Sequence, residues 1–504
     1  MFPFIYFVEN GPSMSLIIWT SVSVSVGLLA VLYSWLRKSD GFHYLPGIPF
    51  IGPPSFFTQR ENFLNMAISA NRAGNTSKFL IRGQEIIIAT GKQPRKIFYG
   101  TRSFCVSEGY QVLWGQASSL DVAIQQSSFN HKYSAFFLKR LQMLLHRDRL
   151  QKVIPELFSD LQTHMSSWPR SGRIDPFTSV YNLVFHLTIR TLGATELADD
   201  LVTVEKLAEL FWNSENEFSF IHAVVPWIPS RAKKNRDKAI SALYEIFADT
   251  INKRKAEQRS ENDAVQLMLD QGDTVNEIAP FLMWAIFIGT NTTGIVVCWI
   301  LMYLKTHPEW DAKVREEFQT LLNEYSTDST VPMYARLSQI PLDAWEGSSP
   351  VMEAIITETV RMAMSVPTMR RNLGEDIEVN GLRVKRGDFM LYPMGAENLN
   401  PDNYPDPLKW DPARWADPTK LDRERSQWTY LGWGAGLHPC HGMRGAKLHL
   451  KITTALFLPS FEYSRVDKND NTFHSIPEIN YSDARRFSPK GEGRYLHYKK
   501  TAGI

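Results

Sequence analysis

The sequence predicts a mainly α-helical protein with small β-sheets (α+β), preceded by one N-terminal transmembrane helix. Apolar residues recur mostly at helical spacing between about residues 62 and 304. The stretch 377–384 instead alternates around an Asn-Gly pair, which indicates a β-hairpin, and 461–498 has the pattern of short strands and loops. Residues 11–36 carry no charge and are long enough to cross a bilayer as a helix.

Bulk composition narrows the class of protein. The 504 residues suffice for about three ordinary domains or for one large helical catalytic domain. A formal net charge of +2 gives no indication of a nucleic-acid partner. Cys105, Cys298 and Cys440 are too few and too scattered for a disulfide framework, which fits a reducing compartment.

The N-terminal region is predicted to be a membrane anchor rather than a cleaved signal peptide. Its apolar run is longer than that of a signal peptide, and no basic residue precedes it. Arg37 and Lys38 follow it, so the positive-inside rule places the rest of the chain in the cytosol. The chain is thereby predicted to consist of a short tail (1–14), a transmembrane anchor (15–36), a basic, proline- and glycine-rich hinge (37–55) and a catalytic domain (56–504).

A second uncharged stretch covers residues 278–304. Hydropathy alone is compatible with another membrane span. The polar and helix-weakening residues between Gly289 and Gly294 would be left unsatisfied at the centre of a bilayer, whereas a protein interior beside a cavity can use them. The stretch is therefore predicted to be a long helix crossing the core.

Cys440 lies in a glycine-rich turn that contains Gly434, Gly436 and Gly442. Glycines allow close approach of backbone to a flat ligand, and the following segment 443–458 is predicted to be a helix whose first amides favour a thiolate. By itself the turn is equally compatible with an inert buried cysteine. The glycine spacing differs from that of a dinucleotide site, which is therefore disfavoured. A zinc site is disfavoured because no second Cys or His pair completes a zinc-binding spacing.

The spacing of Trp433, His438, Cys440 and Gly442 resembles the haem-binding loop of the cytochrome P-450 superfamily. Trp433 stands where phenylalanine is usual, and His438 stands where arginine is commoner. The resemblance implies a P-450 fold and a haem b cofactor whose iron is ligated by the Cys440 thiolate. The proline-rich hinge after the anchor resembles that of microsomal members.

The midpoint of the predicted core helix resembles the oxygen-binding helix of the same family. The resemblance implies that Gly289 lets the helix loosen and that the Thr292 hydroxyl donates to bound dioxygen or water. Asn291 occupies the place of the usual acid and can orient water without ionising. This amide is most similar to the branch with sterol 7α/12α-hydroxylases and prostacyclin synthase, so oxygen insertion and isomerisation both remain open.

A second motif supports the resemblance. Glu358 and Arg361 are spaced i,i+3 on a predicted amphipathic helix, and Arg414 lies in a Pro-Ala-Arg-Trp segment. The resemblance implies a buried triad of these three residues that supports the haem loop.

The resemblance also implies which side chains contact the haem propionates. Arg370 is the first candidate, since a guanidinium suits a carboxylate, and His438 is the second. Trp433 is expected to cover the sulfur side of the ring. Lys139 and Arg140 are weaker candidates, because the usual tryptophan is missing from their segment.

Together these motifs predict a membrane-bound haem-thiolate monooxygenase of the endoplasmic reticulum, facing the cytosol. Electrons are expected from NADPH through a reductase docking near Arg444 and Lys447, with cytochrome b5 as a further partner. The hydrophobic substrate, a sterol, terpenoid or other lipophilic metabolite, is expected between 283–288 and 366–369. The alternatives are a haem-thiolate isomerase or dehydratase without a reductase, and a haem-bearing sensor or lipid-binding protein without turnover.

Overall fold

The computed structural model describes residues 40–48, 51–113, 131–216, 230–483 and 486–501. Helices account for most of these residues and small β-sheets for a minor part, so the predicted mainly helical fold is confirmed. The predicted tail and anchor, and part of the predicted hinge, lie outside the described residues.

The helices are named in chain order. They are α1 (Pro54–Thr58), α2 (Arg60–Arg72), α3 (Lys92–Gly100), α4 (Val106–Leu113), α5 (His131–Leu144), α6 (Arg147–Ser167), α7 (Pro176–Leu192), α8 (Thr195–Ala198), α9 (Leu201–Asn216), α10 (Arg231–Ala256), α11 (Ala264–Asp270), α12 (Val275–Thr306), α13 (Pro308–Tyr325), α14 (Met333–Leu337), α15 (Leu342–Gly347), α16 (Pro350–Ala363), α17 (Gly395–Asn398), α18 (Pro418–Ser426) and α19 (Met443–Ser460). Pro412–Trp415 adds a 3-10 turn between α17 and α18.

The strands form small sheets. They are β1 (His43–Tyr44), β2 (Ser77–Ile81), β3 (Gln84–Ile88), β4 (Phe104–Cys105), β5 (Ser171–Ile174), β6 (Pro367–Asn372), β7 (Ile377–Val379), β8 (Leu382–Val384), β9 (Phe389–Pro393), β10 (Gly434–Ala435), β11 (His438–Pro439), β12 (Phe461–Val466) and β13 (Tyr495–Lys500). The largest sheet has the order β1-β2-β3-β9-β6-β4 and a smaller one has the order β12-β13-β5.

The predicted hairpin and C-terminal strands are present. Strands β7 and β8 pair antiparallel around Asn380 and Gly381, whose φ values are 51° and 77°. Two successive positive φ angles are those of the Asn-Gly turn that matches the twist of a hairpin. Strands β12 and β13 account for the strand pattern near the C-terminus.

The long uncharged stretch forms helix α12 at the centre of the core. Among the described helices, α12 is long and apolar enough to span a membrane, but 72% of its most apolar window is buried within the protein. A capping box of Thr274 and Glu277 fixes its start, and α12 packs against α7, α16 and α19. The prediction of a buried core helix is therefore confirmed.

Two glycines set how closely α12 approaches α7. A Cβ on Gly289 would lie 3.0 Å from Cγ2 of Thr188, and one on Gly294 would lie 2.6 Å from Cδ2 of Tyr181. Side chains larger than hydrogen would push the two helices apart at these points. Helix α12 is continuous through Gly289, where this glycine allows close packing, and the loosening of the helix above bound iron stays a prediction.

We expect Gly294→Ala to destabilise the protein by about 1–3 kcal/mol, because the added methyl group overlaps the Tyr181 ring in a packed interface. Gly347→Ala is the matched control, since Gly347 is also helical and a Cβ there meets nothing within 4 Å. Thermal or urea unfolding of both variants measures the difference. Equal midpoints for the two variants would contradict the packing described.

Candidate active site

The segment around Cys440 folds as a short hairpin ahead of a long helix. Strand β10 pairs antiparallel with β11, and Gly434 and Gly436 adopt φ values of 74° and 55°. A Cβ on Gly434 would overlap the carbonyl oxygen of His438, and one on Gly436 would lie 2.5 Å from that of Tyr99. The turn therefore needs glycine at both positions, and the close approach of its backbone to a flat ligand stays a prediction.

The sulfur of Cys440 is held at the start of α19. The residue is exposed, its backbone N–H donates to the Trp433 carbonyl oxygen at 2.7 Å, and the amides of Gly442 and Met443 hydrogen-bond the sulfur. Although the residue as a whole is exposed, the protein atoms around its sulfur desolvate the thiol and raise the pKa of Cys440, and the two amides offset only part of this rise. A cation bound to the sulfur is what would make it a thiolate.

Arg370 and His438, both predicted to contact haem propionates, lie near each other. Arg370 is buried on β6, its Nη1 donates to the Phe98 carbonyl oxygen at 2.6 Å, and its guanidinium lies 4.3 Å from the Phe98 ring centroid. Nε2 of His438 lies 3.0 Å from the Thr101 carbonyl oxygen, to which it can only donate. Burial, followed by the Arg370 charge, lowers the pKa of His438. Arg370 is therefore the stronger cation of the two.

The cations around the predicted reductase surface have acidic partners. Nε of Arg444 lies 2.7 Å from a carboxylate oxygen of Glu346, and Lys447 forms an ion pair with Glu353. The Lys447 ammonium also lies 6.0 Å from the ring centroid of Trp433, whose indole N–H has no hydrogen-bond partner among the described residues. The positive charge of this surface is thus largely compensated.

Helix α12 presents a solvent-accessible face in its middle, although most of its other residues are buried. Ile288 is 50% exposed, and Thr292, one turn later, is also exposed, whereas Asn291 is half-buried. Positions i and i+4 lie on the same face of a helix, so Ile288 and Thr292 border the same space. Of the predicted pocket residues, Met283 and Met369 are instead fully buried.

Other predicted pocket segments lie partly or wholly beyond the described residues. Two apolar loops of the sequence, at 104–123 and 221–229, are further candidates for shaping the pocket; the first is described only to residue 113, and the second is not described.

The predicted triad of Glu358, Arg361 and Arg414 is assembled in the structure. Arg361 donates to both carboxylate oxygens of Glu358, each at 2.8 Å, and neither side chain has solvent exposure. Nε of Arg414 donates to the same carboxylate at 3.2 Å. The Trp415 indole and the Asp411 backbone N–H, which sequence reasoning did not identify, also donate to it at 3.0 Å each.

Asn398 connects this triad to the Cys440 loop, and sequence reasoning missed it. Its carbonyl oxygen accepts from Nη1 of Arg361 at 2.7 Å, and its side-chain Oδ1 accepts from the Leu431 backbone N–H at 3.0 Å. Asn398 ends a helix of only four residues and belongs to no periodic pattern. No signal in the sequence marks it.

Arg140 has a structural partner that the sequence did not indicate. Its guanidinium is buried and pairs bidentately with Asp273, at 2.6 and 2.7 Å, so it ties α5 to the residues just before α12. Lys139 is exposed. A propionate contact by either side chain stays a prediction.

These residues fit a haem group. The loop offers one sulfur donor, a soft ligand that suits iron, and Arg370 offers a buried guanidinium that suits a carboxylate. The apolar Ile288 side chain and the Thr292 hydroxyl border accessible space on α12, which packs against the Cys440 helix α19.

Comparisons with known proteins agree with this fit. The sequence model of the family described as Cytochrome P450 matches residues 43–479. Cytochrome P450 monooxygenase nsrP of Aspergillus novofumigatus is 30% identical over 479 residues, covering 89% of this chain and 90% of the relative. Obtusifoliol 14-alpha demethylase of Sorghum bicolor is 24% identical over 363 residues, covering 70% of this chain and 69% of the relative. The solved structure of retinoic acid-bound cyanobacterial CYP120A1 matches with a TM-score of 0.72 at 16% identity, covering 91% of this chain and 98% of that one.

We expect Glu358→Gln to lower the free energy of unfolding by about 3–5 kcal/mol and to weaken cofactor retention, because Arg361 then carries a buried charge without a counter-ion. Asp343→Asn is the control, since the Asp343 pair with Arg147 is exposed and its loss should change little. Denaturant unfolding and the haem-to-protein ratio measure both effects. Equal losses in the two variants would refute the supporting role of the triad.

Proposed function

Because this chain belongs to the cytochrome P450 family, we propose that it is a membrane-bound haem-thiolate monooxygenase that inserts one oxygen atom from dioxygen into a hydrophobic substrate. The balanced reaction is RH + O2 + NADPH + H+ → ROH + H2O + NADP+. The observation that carries the proposal is the Cys440 sulfur, which the backbone amides at the start of α19 hydrogen-bond, in a loop that the Glu358 triad reaches through Asn398.

When bound, haem would supply the iron that activates dioxygen, and a thiolate ligand would contribute electron density to it. Cys440 is proposed as that ligand. Arg370 is proposed to hold one edge of the ring through a carboxylate, with His438 beside it. The Arg370 guanidinium is already fixed by the Phe98 carbonyl and ring, so Arg370 loses little side-chain entropy when it binds a propionate.

Thr292 and Asn291 are proposed to manage protons and water beside the oxygen site. The exposed Thr292 hydroxyl can donate one hydrogen bond into the accessible space. The Asn291 amide orients water but holds no transferable proton, so protons must travel through water and the Thr292 hydroxyl. The same amide is the feature that keeps an isomerase or dehydratase as the second candidate.

The proposed partners are an NADPH-dependent reductase, cytochrome b5 and the endoplasmic reticulum membrane. The anchor at 15–36 and the hinge at 37–55 support the membrane assignment, with the catalytic domain on the cytosolic side. Since Arg444 and Lys447 each have a glutamate partner, we expect the reductase to compete for these cations rather than to meet free positive charge.

The proposed substrate is a sterol, terpenoid or other lipophilic secondary metabolite. Relatives named for monooxygenase and sterol-type demethylase activities support this class, as does the retinoic acid bound in the structural neighbour. The exposed Ile288 side chain on α12 adds an apolar wall.

The deciding experiment combines metabolite profiling with isotope labelling. The compound that accumulates when the gene is deleted is supplied to the purified holoprotein with reductase, NADPH and labelled dioxygen. We expect product carrying one labelled atom, formed only with the electron donor. Unlabelled product formed without reductase would replace the monooxygenase with an isomerase or dehydratase.

We expect Thr292→Val to lower the product formed per NADPH consumed, because the oxygen site loses its hydroxyl donor. Thr290→Val is the matched control: the Thr290 hydroxyl is buried and has no hydrogen-bond partner among the described residues, so an isosteric valine should keep the wild-type ratio. Product and NADPH are quantified in the same reaction. An unchanged ratio in Thr292→Val would remove this residue from the proton path.

A further inference from the structure

Asn398 occupies a junction between three segments that are distant in sequence. It is fully buried at the end of α17. Its backbone carbonyl accepts from Arg361 on α16, and its side-chain oxygen accepts from the Leu431 N–H at the entrance to the Cys440 loop. One residue therefore contacts the Glu358 triad through its main chain and the ligand loop through its side chain.

The bond to Leu431 continues into the turn that carries the sulfur. The Leu431 carbonyl oxygen accepts from the Gly434 N–H at 3.0 Å, and the Trp433 carbonyl oxygen accepts from the Cys440 N–H at 2.7 Å. The entrance to this turn is also packed tightly: a Cβ on Gly432 would lie 2.5 Å from Cγ1 of Val360 on α16. The position of Leu431 thus constrains where the sulfur lies.

We propose that Asn398 is a positioning residue that transmits the rigidity of the Glu358 triad to the Cys440 loop through its side-chain oxygen, and thereby keeps the sulfur on the haem iron. This inference rests on the haem-thiolate part of the proposed function and is independent of the substrate and of the reaction type.

The chemistry of the amide shows which atom matters. Oδ1 of Asn398 accepts a hydrogen bond from the backbone N–H of Leu431, a residue with no exposure to water. Nδ2 of Asn398 is buried and has no partner among the described residues. Removing the acceptor leaves the Leu431 N–H unsatisfied in the interior, where the loop must move to recover the lost bond. Replacing only Nδ2 by oxygen keeps the acceptor in place.

The test compares Asn398→Ala with Asn398→Asp in the holoprotein. We expect Asn398→Ala to convert part of the ferrous–CO complex from the thiolate-type Soret band to a form without thiolate ligation. We also expect haem transfer to apomyoglobin to be about tenfold faster, as for the loss of one buried hydrogen bond. Asn398→Asp, which keeps an oxygen in the position that accepts from the Leu431 N–H, is expected to retain the thiolate-type band.

Asn71→Ala is the matched control. The Asn71 side chain also accepts from a backbone N–H, that of Ser77 at 2.9 Å, but in α2, away from the ligand loop. It should lower stability without changing the spectrum. If Asn398→Ala yields no folded holoprotein, a wild-type spectrum and haem transfer rate for Asn398→Asp support the proposal, and loss of the thiolate-type band in folded Asn398→Asp overturns it.

The proposal is also overturned if Asn398→Ala keeps the wild-type band and the wild-type haem transfer rate. These readouts do not depend on catalysis. If the wild-type protein shows the thiolate-type band but inserts no oxygen, this result counts against the monooxygenase proposal and leaves the role of Asn398 intact.

Discussion

Glu358 places a carboxylate where the protein gives it no solvent exposure, and its surroundings are arranged to satisfy that group. Arg361 supplies two donors, and Arg414, Trp415 and the Asp411 backbone supply one each. A charge in such a site is tolerated only when its partners are fixed in place. The interaction therefore fixes the relative positions of α16, the 3-10 turn and, through Asn398, the start of the ligand loop.

The ligand loop uses this rigidity to hold one sulfur atom. Gly434 and Gly436 let the chain turn back tightly, and the first amides of α19 lie against Cys440. Burial alone disfavours the thiolate, so the metal and the amides must together outweigh it. Helix α12 packs tightly against α7 and also has an accessible face at Ile288 and Thr292, so this one helix serves both the core and the candidate active site.

The sequence predicted the parts of this arrangement whose cause is local. Helical spacing predicted the helix-rich body, the uncharged stretch with its polar centre predicted the core helix, and Asn380 and Gly381 predicted the hairpin. The triad was predicted through the resemblance of its motifs to those of the family. The sequence could not predict contacts made by tertiary packing. Asn398 meets partners 37 and 33 residues away, and the Thr101 partner of His438 is 337 residues away. The packing role of Gly289 could not be predicted for the same reason, since only the position of α7 shows what that glycine accommodates.

The central claim is that the sulfur of Cys440 binds haem iron. The most direct measurement is the ferrous–CO absorption spectrum of the purified wild-type protein beside that of Cys440→Ser. The account predicts a thiolate-type Soret band in the wild type and its loss in the variant. A wild-type protein that binds no porphyrin, or a serine variant with an unchanged spectrum, would contradict it.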